Sequence, residues 1–178
     1  FIALGQNFPD ALAGGAAAAK AGSPVLLVRQ SSIPTPIAAE LPRLTPASIV
    51  VLGGTGAVSD GVMTSLKSFT TGSVTRGWGA DRYATAASLA DSFPAGSSVF
   101  IATGQAFPDG LAGTAAAAAQ HAPILLTAPR TPPPATTAAL SNLPPSPPPL
   151  PRRTGAVSAC APTRLPTSAL HLPAARRS

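Results

Sequence analysis

The sequence predicts an α/β fold of tandem repeats, in which short parallel sheets are flanked by Ala-rich helices and followed by a disordered Pro-rich tail. The main observation is a stretch of 28 residues that occurs twice, at 1–28 and 100–127, with 18 identical positions and no gap. Each copy consists of an apolar run, a polar turn, an Ala-rich segment and a second apolar run. This order of strand, helix and strand is the unit of a parallel sheet.

The polar turn of each copy leads into a helix. Pro9 suits the first turn of that helix, because the amide that proline lacks has no partner there. Asp10 suits the same turn, where its carboxylate faces the positive end of the helix dipole. Pro108 and Asp109 repeat this arrangement in the second copy. The apolar run Pro24–Val28 then predicts the second strand of the first copy.

Further elements are predicted between the two copies. Apolar spacing indicates a short helix over Thr35–Leu44 and a buried strand over Ser48–Gly54. Ser59 is expected to cap the next helix. The apolar face of that helix is formed by residues at spacings of three and four, namely Val62, Leu66 and Phe69.

The second repeat is predicted to open near Thr75. A loop over Thr70–Thr75 leads to a short strand, a Gly-rich turn follows over Arg76–Asp81, and an amphipathic helix covers Arg82–Phe93. These elements divide the chain into a first repeat at 1–74 that lacks its opening turn and helix, a second repeat at 75–143 that lacks its last strand, and a tail at 144–178.

The tail departs from the repeat. At the same offset of 99, the strand Ser48–Gly54 aligns with Pro147–Arg153, whose three consecutive prolines cannot donate the hydrogen bonds of a central strand. Thr154–Ser158 nevertheless matches Thr55–Ser59 at every position. One hypothesis is that the reading frame was lost, briefly regained and lost again; the alternative is a genuine Pro-rich linker. Both predict that Pro132–Ser178 is poorly ordered.

The distribution of charge argues against nucleic-acid binding. The net charge is +6, but residues 1–129 hold six basic and six acidic side chains, so the whole excess lies in the arginines of residues 130–178. A nucleic-acid-binding protein needs a basic face on a folded module.

The chain shows no signal peptide, and because it begins within a strand it is interpreted as a fragment.

The residues that catalysis requires are scarce. The chain has two histidines, one glutamate and one cysteine, Cys160, and it contains no zinc-hydrolase motif, nucleophile elbow or phosphate-binding loop. The segment Leu52–Gly56 has the glycine content of a dinucleotide site but not its spacing, and a tight strand-to-helix turn explains those glycines. We therefore predict no catalytic residue, no metal and no cofactor.

Candidate ligand contacts lie where strands end and helices begin, because free backbone amides there donate hydrogen bonds to anions. Asp10 and Asp109 fit either ligand contact or helix capping. The cluster from Arg76 to Tyr83 fits carbohydrate or polyanion contact, or stabilisation of its own turn. The predicted contact residues are Asn7, Asp10, Thr55, Ser59, Arg76, Asp81, Arg82, Tyr83, Gln105 and Asp109.

The motifs GQNFPDALAGG, GQAFPDGLAG, PVLLV, PILLT, VVLGGTGAVSD and RGWGADRYATAASLA cover about residues 1–143. In their order along the chain they resemble the type 2 cell-wall-binding repeat of Gram-positive bacteria. The resemblance implies a Rossmann-like or Toprim-like module that occurs in tandem. It also implies non-catalytic anchoring of a secreted, cell-surface protein to anionic wall glycopolymers or peptidoglycan, with further repeats of the family in the full-length protein.

Three interpretations of function stay open. The first is a binding module, whose weak sites, one per repeat, add through avidity. The second is a fragment of a cell wall hydrolase, an N-acetylmuramoyl-L-alanine amidase whose catalytic domain is absent. The third is a non-functional remnant of a longer gene, which the tail suggests. No membrane span and no nucleic-acid partner are expected.

Overall fold

A computed structural model describes residues 1–143 except Phe8, Trp78 and Ala95. Apolar runs form short strands and the Ala-rich segments form helices, as β-branched and alanine propensities favour. In chain order the described elements are β1 (Ile2–Leu4), α1 (Pro9–Lys20), β2 (Leu26–Val28), α2 (Thr35–Leu44), β3 (Ile49–Leu52), α3 (Asp60–Leu66) with a 3₁₀ turn (Lys67–Phe69), β4 (Val74–Gly77), α4 (Arg82–Ala90), β5 (Phe100–Thr103), α5 (Phe107–Ala119), β6 (Ile124–Thr127) and α6 (Pro134–Asn142).

All described strand pairs are parallel. The first sheet has the order β2-β1-β3-β4, and β5 pairs with β6 in a second sheet. In the first sheet Ile2 lies beside Leu26 on one side and Val51 on the other. In the second sheet Ile101 lies beside Leu125, which is the same register 99 residues later. The prediction of short parallel sheets flanked by helices is confirmed.

Helices cover both faces of the first sheet. On one face Ala3 and Leu52 pack with α1, α4 and α5 in an apolar cluster. On the other face Ile2 and Val51 pack against α2 and α3. The side chains alternate between the two faces, as the pleat of a strand requires. A parallel sheet covered in this way buries both of its faces.

The two repeats meet where α1 packs on α5. Small residues allow this close approach: a Cβ at Gly110 would lie 2.4 Å from Leu12 Cδ1, and one at Gly15 would lie 2.8 Å from Thr114 Cγ2. The hydroxyl of Thr114 also donates a hydrogen bond to the Leu12 carbonyl at 3.1 Å. Gly15 and Thr114 occupy equivalent positions in the two copies. The helices therefore contact each other through corresponding residues.

Helix α4 connects the two sheets. Its Leu89 packs with Leu52 of the first sheet, and its Ala90 packs with Leu125 of the second sheet and Ala139 of α6. At its end, Lys20 of α1 lies over the ring of Phe93, with 4.7 Å between its nitrogen and the ring centroid. The helix that opens the second repeat therefore also packs against the first.

Two predicted boundaries were wrong. Arg76 and Gly77, assigned to a turn, belong to β4, where they pair with Val51 and Leu52. Glycines suggested a turn, but Gly77 leaves room for Leu89, whose Cδ2 would lie 3.2 Å from an added Cβ. The helix predicted over Arg82–Phe93 ends at Ala90.

The expectation that Pro132–Ser178 is poorly ordered was wrong for the first part of that range. Helix α6 spans Pro134–Asn142, with prolines at its start where they cost no hydrogen bond. Thr136 is buried and donates a hydrogen bond to the Leu126 carbonyl at 2.6 Å. The helix is the equivalent of α2 at the offset of 99. The predictions for the tail at 144–178 lie outside the described residues.

Among the residues described, no helix is long and apolar enough to cross a membrane.

Candidate functional site

A cleft of about 320 Å³ opens at the carboxyl ends of β1, β3 and β4. The strand order explains its position. Strand β2 lies on one side of β1 and β3 lies on the other, so the connection from β1 to β2 and the connection from β3 to β4 run in opposite directions. The space between such strands is where open α/β sheets bind ligands. The lining residues are Asn7, Pro9, Asp10, Gly54, Thr55, Gly56, Ala57, Gly79, Ala80, Asp81, Arg82 and Thr85.

The first wall of the cleft is the turn between β1 and α1. Asn7 is exposed there, and Asp10 is half-buried in the first turn of α1. A Cβ at Gly53 would lie 2.3 Å from Asp10 Oδ2, and Gly53 has a φ of +85°. Glycine at this position therefore allows both the left-handed turn after β3 and the close approach of the carboxylate.

The second wall is the loop from Gly54 to Ala57, which leads into α3. Thr55 and Gly56 are exposed at its tip. An added Cβ at Gly56 would meet no atom within 4 Å, so this part of the cleft is open. The Gln30 side chain holds the loop by donating to the Gly56 carbonyl at 3.1 Å.

Two of the predicted contact residues, Ser59 and Arg76, stabilise this second wall from outside the cleft. Ser59 caps α3, as predicted, by accepting a hydrogen bond from the Val62 amide at 3.3 Å. Arg76 donates to the carbonyls of Gly53 and Val58, both at 2.9 Å, and to Asp60 at 2.9 Å. Neither Ser59 nor Arg76 lines the cleft. Their side chains are engaged in holding β3, β4 and α3 together.

The third wall is the turn before α4. Asp81 caps α4 by accepting hydrogen bonds from the amides of Tyr83 and Ala84, at 2.9 and 2.8 Å. The Gly79 amide donates to the buried hydroxyl of Thr85 at 3.0 Å. The turn-stabilising role considered for Asp81 is therefore present, and its exposed carboxylate also faces the cleft.

Arg82 connects the cleft to the second repeat. It donates a hydrogen bond to the Gly104 carbonyl, which follows β5, at 2.5 Å. The ring of Tyr83 packs against Gly104. A Cβ added at Gly104 would lie 2.7 Å from Tyr83 Cε1. Tyr83 is half-buried and does not line the cleft.

The electrostatics of the cleft centre on Asp10. Burial raises the pKa of this carboxyl above its usual range, and the positive charge of Arg82 partly opposes the shift. The lining contains two acidic side chains, Asp10 and Asp81, and the basic side chain of Arg82. The arrangement suits a ligand with several hydroxyl groups, since carboxylates accept hydrogen bonds from hydroxyls and arginine donates to oxygen anions.

Five of the predicted contacts thus meet in one place, namely Asn7, Asp10, Thr55, Asp81 and Arg82. Two others, Gln105 and Asp109, lie at the start of α5, are exposed and do not line this cleft. Asp109 is the equivalent of Asp10, but the counterparts of the second and third walls fall outside the described residues.

Sequence reasoning missed Thr85 and the backbone of Gly79 and Ala80 as parts of the cleft. Glycine signalled the turn itself, because a Cβ at Gly79 would lie 2.3 Å from that of Ala84. Nothing in the sequence indicates that the Thr85 hydroxyl anchors this turn, since a threonine one turn into a helix has several possible partners.

A larger cavity of about 500 Å³ lies at the opposite edge of the first sheet. Apolar side chains such as Phe1, Leu26, Leu41 and Ile49 line it together with small residues, and no charged side chain contributes. In the described part of the chain, no group of three or more His, Cys, Asp or Glu side chains is placed to hold a metal ion. The cleft at the carboxyl edge is therefore the better candidate site.

Comparison with known proteins agrees with this architecture. Two proteins of Bacillus subtilis (strain 168) are similar to this chain. An amidase enhancer is 32% identical over 120 residues, which are 67% of this chain and 17% of the relative. The N-acetylmuramoyl-L-alanine amidase LytC is 33% identical over 111 residues, which are 62% of this chain and 21% of the relative. Among solved structures, Cwp6 from Clostridium difficile matches with a TM-score of 0.74 and 30% identity over 80% of this chain and 23% of that one. Cwp8 from the same organism matches with a TM-score of 0.63 and 26% identity over 78% of this chain and 24% of its own.

The chain thus spans about a fifth of the length of the curated relatives that it matches. The profile of the family described as cell wall binding domain 2 matches residues 1–63 and 76–146. These two segments contain the two copies of the repeat and most of the cleft. The protein belongs to the cell wall binding domain 2 family.

Proposed function

We propose that this chain is a non-catalytic module that holds a secreted protein at the cell surface by binding an anionic wall glycopolymer or peptidoglycan. The observation that supports this most is the convergence of Asp10, the loop 54–57 and the Asp81–Arg82 turn in one cleft. Polar side chains and exposed backbone surround an open groove there, which suits a polymer that enters and leaves from the side.

The chemistry of the cleft suggests how a glycopolymer is recognised. Sugar hydroxyls donate to the carboxylates of Asp10 and Asp81 and exchange hydrogen bonds with Asn7 and Thr55. Arg82 uses one nitrogen for the Gly104 carbonyl, and its remaining donors are available to a phosphate or carboxylate of the polymer. Two acids beside one base make simple charge attraction a poor explanation, so hydrogen bonding to sugar provides most of the specificity.

The strand order supports a Rossmann-like or Toprim-like assignment of the repeats, with a first repeat at 1–74 and a second at 75–143. Strand β4 belongs to the first sheet, while the loop and helix after it serve both repeats. The first-repeat cleft therefore needs Asp81 and Arg82 from the second repeat. By the same logic, a cleft beside Asp109 would need a following repeat, and several weak sites would add through avidity.

Hydrolytic activity is not proposed for this chain. One relative is named as an amidase, but the chain spans only 21% of it. An amidase or another effector in a full-length protein would be a separate domain, joined to this binding module. The chain should release no peptide or sugar from purified peptidoglycan, whereas the same preparation should bind to walls.

Co-sedimentation with purified Gram-positive cell walls tests this function. The bound fraction is measured before and after acid extraction of the anionic glycopolymers. Loss of binding upon extraction would support a glycopolymer ligand, and retention would assign the binding to peptidoglycan. Failure of the folded protein to bind either preparation would contradict the proposal.

A further inference from the structure

The charged side chains at the start of α4 use only part of their bonding capacity within the protein. Asp81 caps the helix through Oδ1 alone, because the amides of Tyr83 and Ala84 both donate to that atom. Its Oδ2 is left for another donor, and the residue is exposed. Arg82 donates through Nη1 to the Gly104 carbonyl, which leaves its Nε and Nη2 for an acceptor. The cleft therefore offers a ligand both an anionic acceptor and a cationic donor.

These two residues differ from an ion pair that is satisfied within the protein. Arg76 uses its nitrogens for two backbone carbonyls and for Asp60, so little of this pair remains for a ligand. In the part of the chain that the structure describes, Asp81 and Arg82 form no salt bridge with each other or with a third residue. Their opposite charges stand in one cleft without neutralising each other by contact.

The balance of charge in the cleft does not suit a ligand that is only anionic. Asp10 and Asp81 face one Arg82 among the lining residues. Arg82 already acts on Asp10, since its positive charge opposes the rise that burial causes in the pKa of that carboxyl. A phosphate bound to Arg82 would stand near both carboxylates, and like charges repel each other at such short range. A positive group on the ligand would offset this repulsion.

We propose that the cleft selects an anionic wall glycopolymer whose repeating unit also carries an ammonium group. The ammonium group donates to Asp81 Oδ2, and the phosphate or carboxylate of the same polymer accepts from the free nitrogens of Arg82. This inference rests on the proposed function, because it assigns a chemical class to the ligand of that same cleft. Amino acids esterified to polymer hydroxyls and unacetylated amino sugars both supply an ammonium group.

Co-sedimentation of the full chain with three preparations of one purified Gram-positive wall tests this inference. The first wall is untreated. The second has been treated with mild alkali, which hydrolyses amino-acid esters while the phosphate content of the wall is retained. The third has been treated with acetic anhydride, which neutralises every amine. Acetylation should weaken binding about fivefold, as expected for the loss of one exposed ion pair. Alkali should have the same effect if the amine is ester-linked and no effect if it belongs to an amino sugar.

Two variants on the same helix locate the effect. Asp81→Asn keeps the cap of α4 but removes the charge, so it should bind untreated walls about fivefold more weakly than wild type and should not respond to acetylation. Asp91→Asn removes an equal charge at the other end of α4, where Asp91 is exposed and lies outside the cleft. It should bind like wild type and respond to acetylation in the same way.

Three outcomes would overturn the inference. If wild type binds the acetylated wall as tightly as the untreated wall, no ammonium group is recognised, although such binding would still agree with the proposed function. If acetylation weakens Asp81→Asn as much as wild type, the ammonium group is bound away from Asp81. If the folded chain binds no untreated wall, the proposed function fails and this inference fails with it.

Discussion

The Thr114 hydroxyl lies 3.1 Å from the backbone carbonyl oxygen of Leu12 and joins the Ala-rich helices of the two repeats. The same hydroxyl lies 2.7 Å from the Gly110 carbonyl of its own helix. Beside this contact, Leu12 occupies the space that a side chain at Gly110 would need. The relative position of the two repeats therefore depends on small residues at this crossing.

Substituting Gly110→Ala should destabilise the protein. Alanine favours a helix by about 1 kcal/mol over glycine, but its Cβ would lie 2.4 Å from Leu12 Cδ1. Leu12 is itself buried, at 6% exposure, so its methyl group cannot move towards solvent, and we expect the crowding to lower the free energy of unfolding by about 1–3 kcal/mol. Urea denaturation measures the change. The control Gly61→Ala adds a Cβ whose only neighbour is Ser59 Oγ at 3.7 Å, and it should be neutral or stabilising.

Arg76→Lys should also destabilise the protein, although it keeps the charge. The guanidinium satisfies two carbonyls at the end of β3 and the start of α3, and its side chain is only 11% exposed. A lysine cannot reproduce this planar arrangement, so we expect a loss of about 2 kcal/mol in denaturation experiments. Asp60→Asn should cost far less, because Asp60 is 76% exposed. Equal losses for the two variants would refute this explanation.

The two roles of Asp81 can be separated by two substitutions. Asp81→Ala removes the cap of α4 and should lower the free energy of unfolding by about 1 kcal/mol, whereas Asp81→Asn should retain nearly all stability because asparagine caps as well as aspartate does. If Asp81 also binds polymer through its charge, Asp81→Asn should still weaken wall binding. Thermal unfolding and co-sedimentation together provide the measurement. Full wall binding by Asp81→Asn would restrict the residue to its capping role.

Asp10 should make stability depend on pH. Burial raises its pKa in the folded protein, so between the unfolded and folded pKa values the folded state binds more protons. The free energy of unfolding then falls as pH rises through this window and stays lower above it. Asp10→Asn removes this term, and it should be more stable than wild type at neutral pH but not below the unfolded pKa.

The matched variant for this prediction is Asp109→Asn. Asp109 occupies the equivalent position in α5 but is exposed, so its substitution should produce no comparable gain at neutral pH. Thermal unfolding from acidic to neutral pH would compare the three proteins. A pH-independent difference between Asp10→Asn and wild type would contradict burial as the cause.

Local signals allowed most individual elements to be predicted. The bounds of α2, Thr35–Leu44, match the structure, and Ser59 caps α3 as expected, because apolar spacing and capping chemistry act over a few residues. Helix α6 was missed, although Leu140 and Leu143 repeat Leu41 and Leu44 of α2. The prolines around it were interpreted as disorder, while its stability comes from packing and from the buried hydrogen bond of Thr136.

The assembly of the candidate site could be predicted only in part. Asp10 and Arg82 were both named as contacts, but their meeting in one cleft depends on α4 packing across two repeats. Sequence identity also suggested equal roles for Asp10 and Asp109. In the described part of the chain, the surroundings of Asp10 include the loop after β3 and the turn before α4, which no local pattern around either aspartate encodes.

Filling the cleft tests the central claim most directly. Gly56 lines the cleft and has open space around its Cβ position, whereas Gly61, which also has room for a side chain, lies on α3 away from the lining. Leucine would be placed at each position, and binding to purified cell walls would be measured by co-sedimentation after circular dichroism has shown that both variants are folded. We predict that Gly56→Leu loses most of its wall binding while Gly61→Leu binds like wild type. Undiminished binding by folded Gly56→Leu would show that the wall is bound elsewhere on this protein.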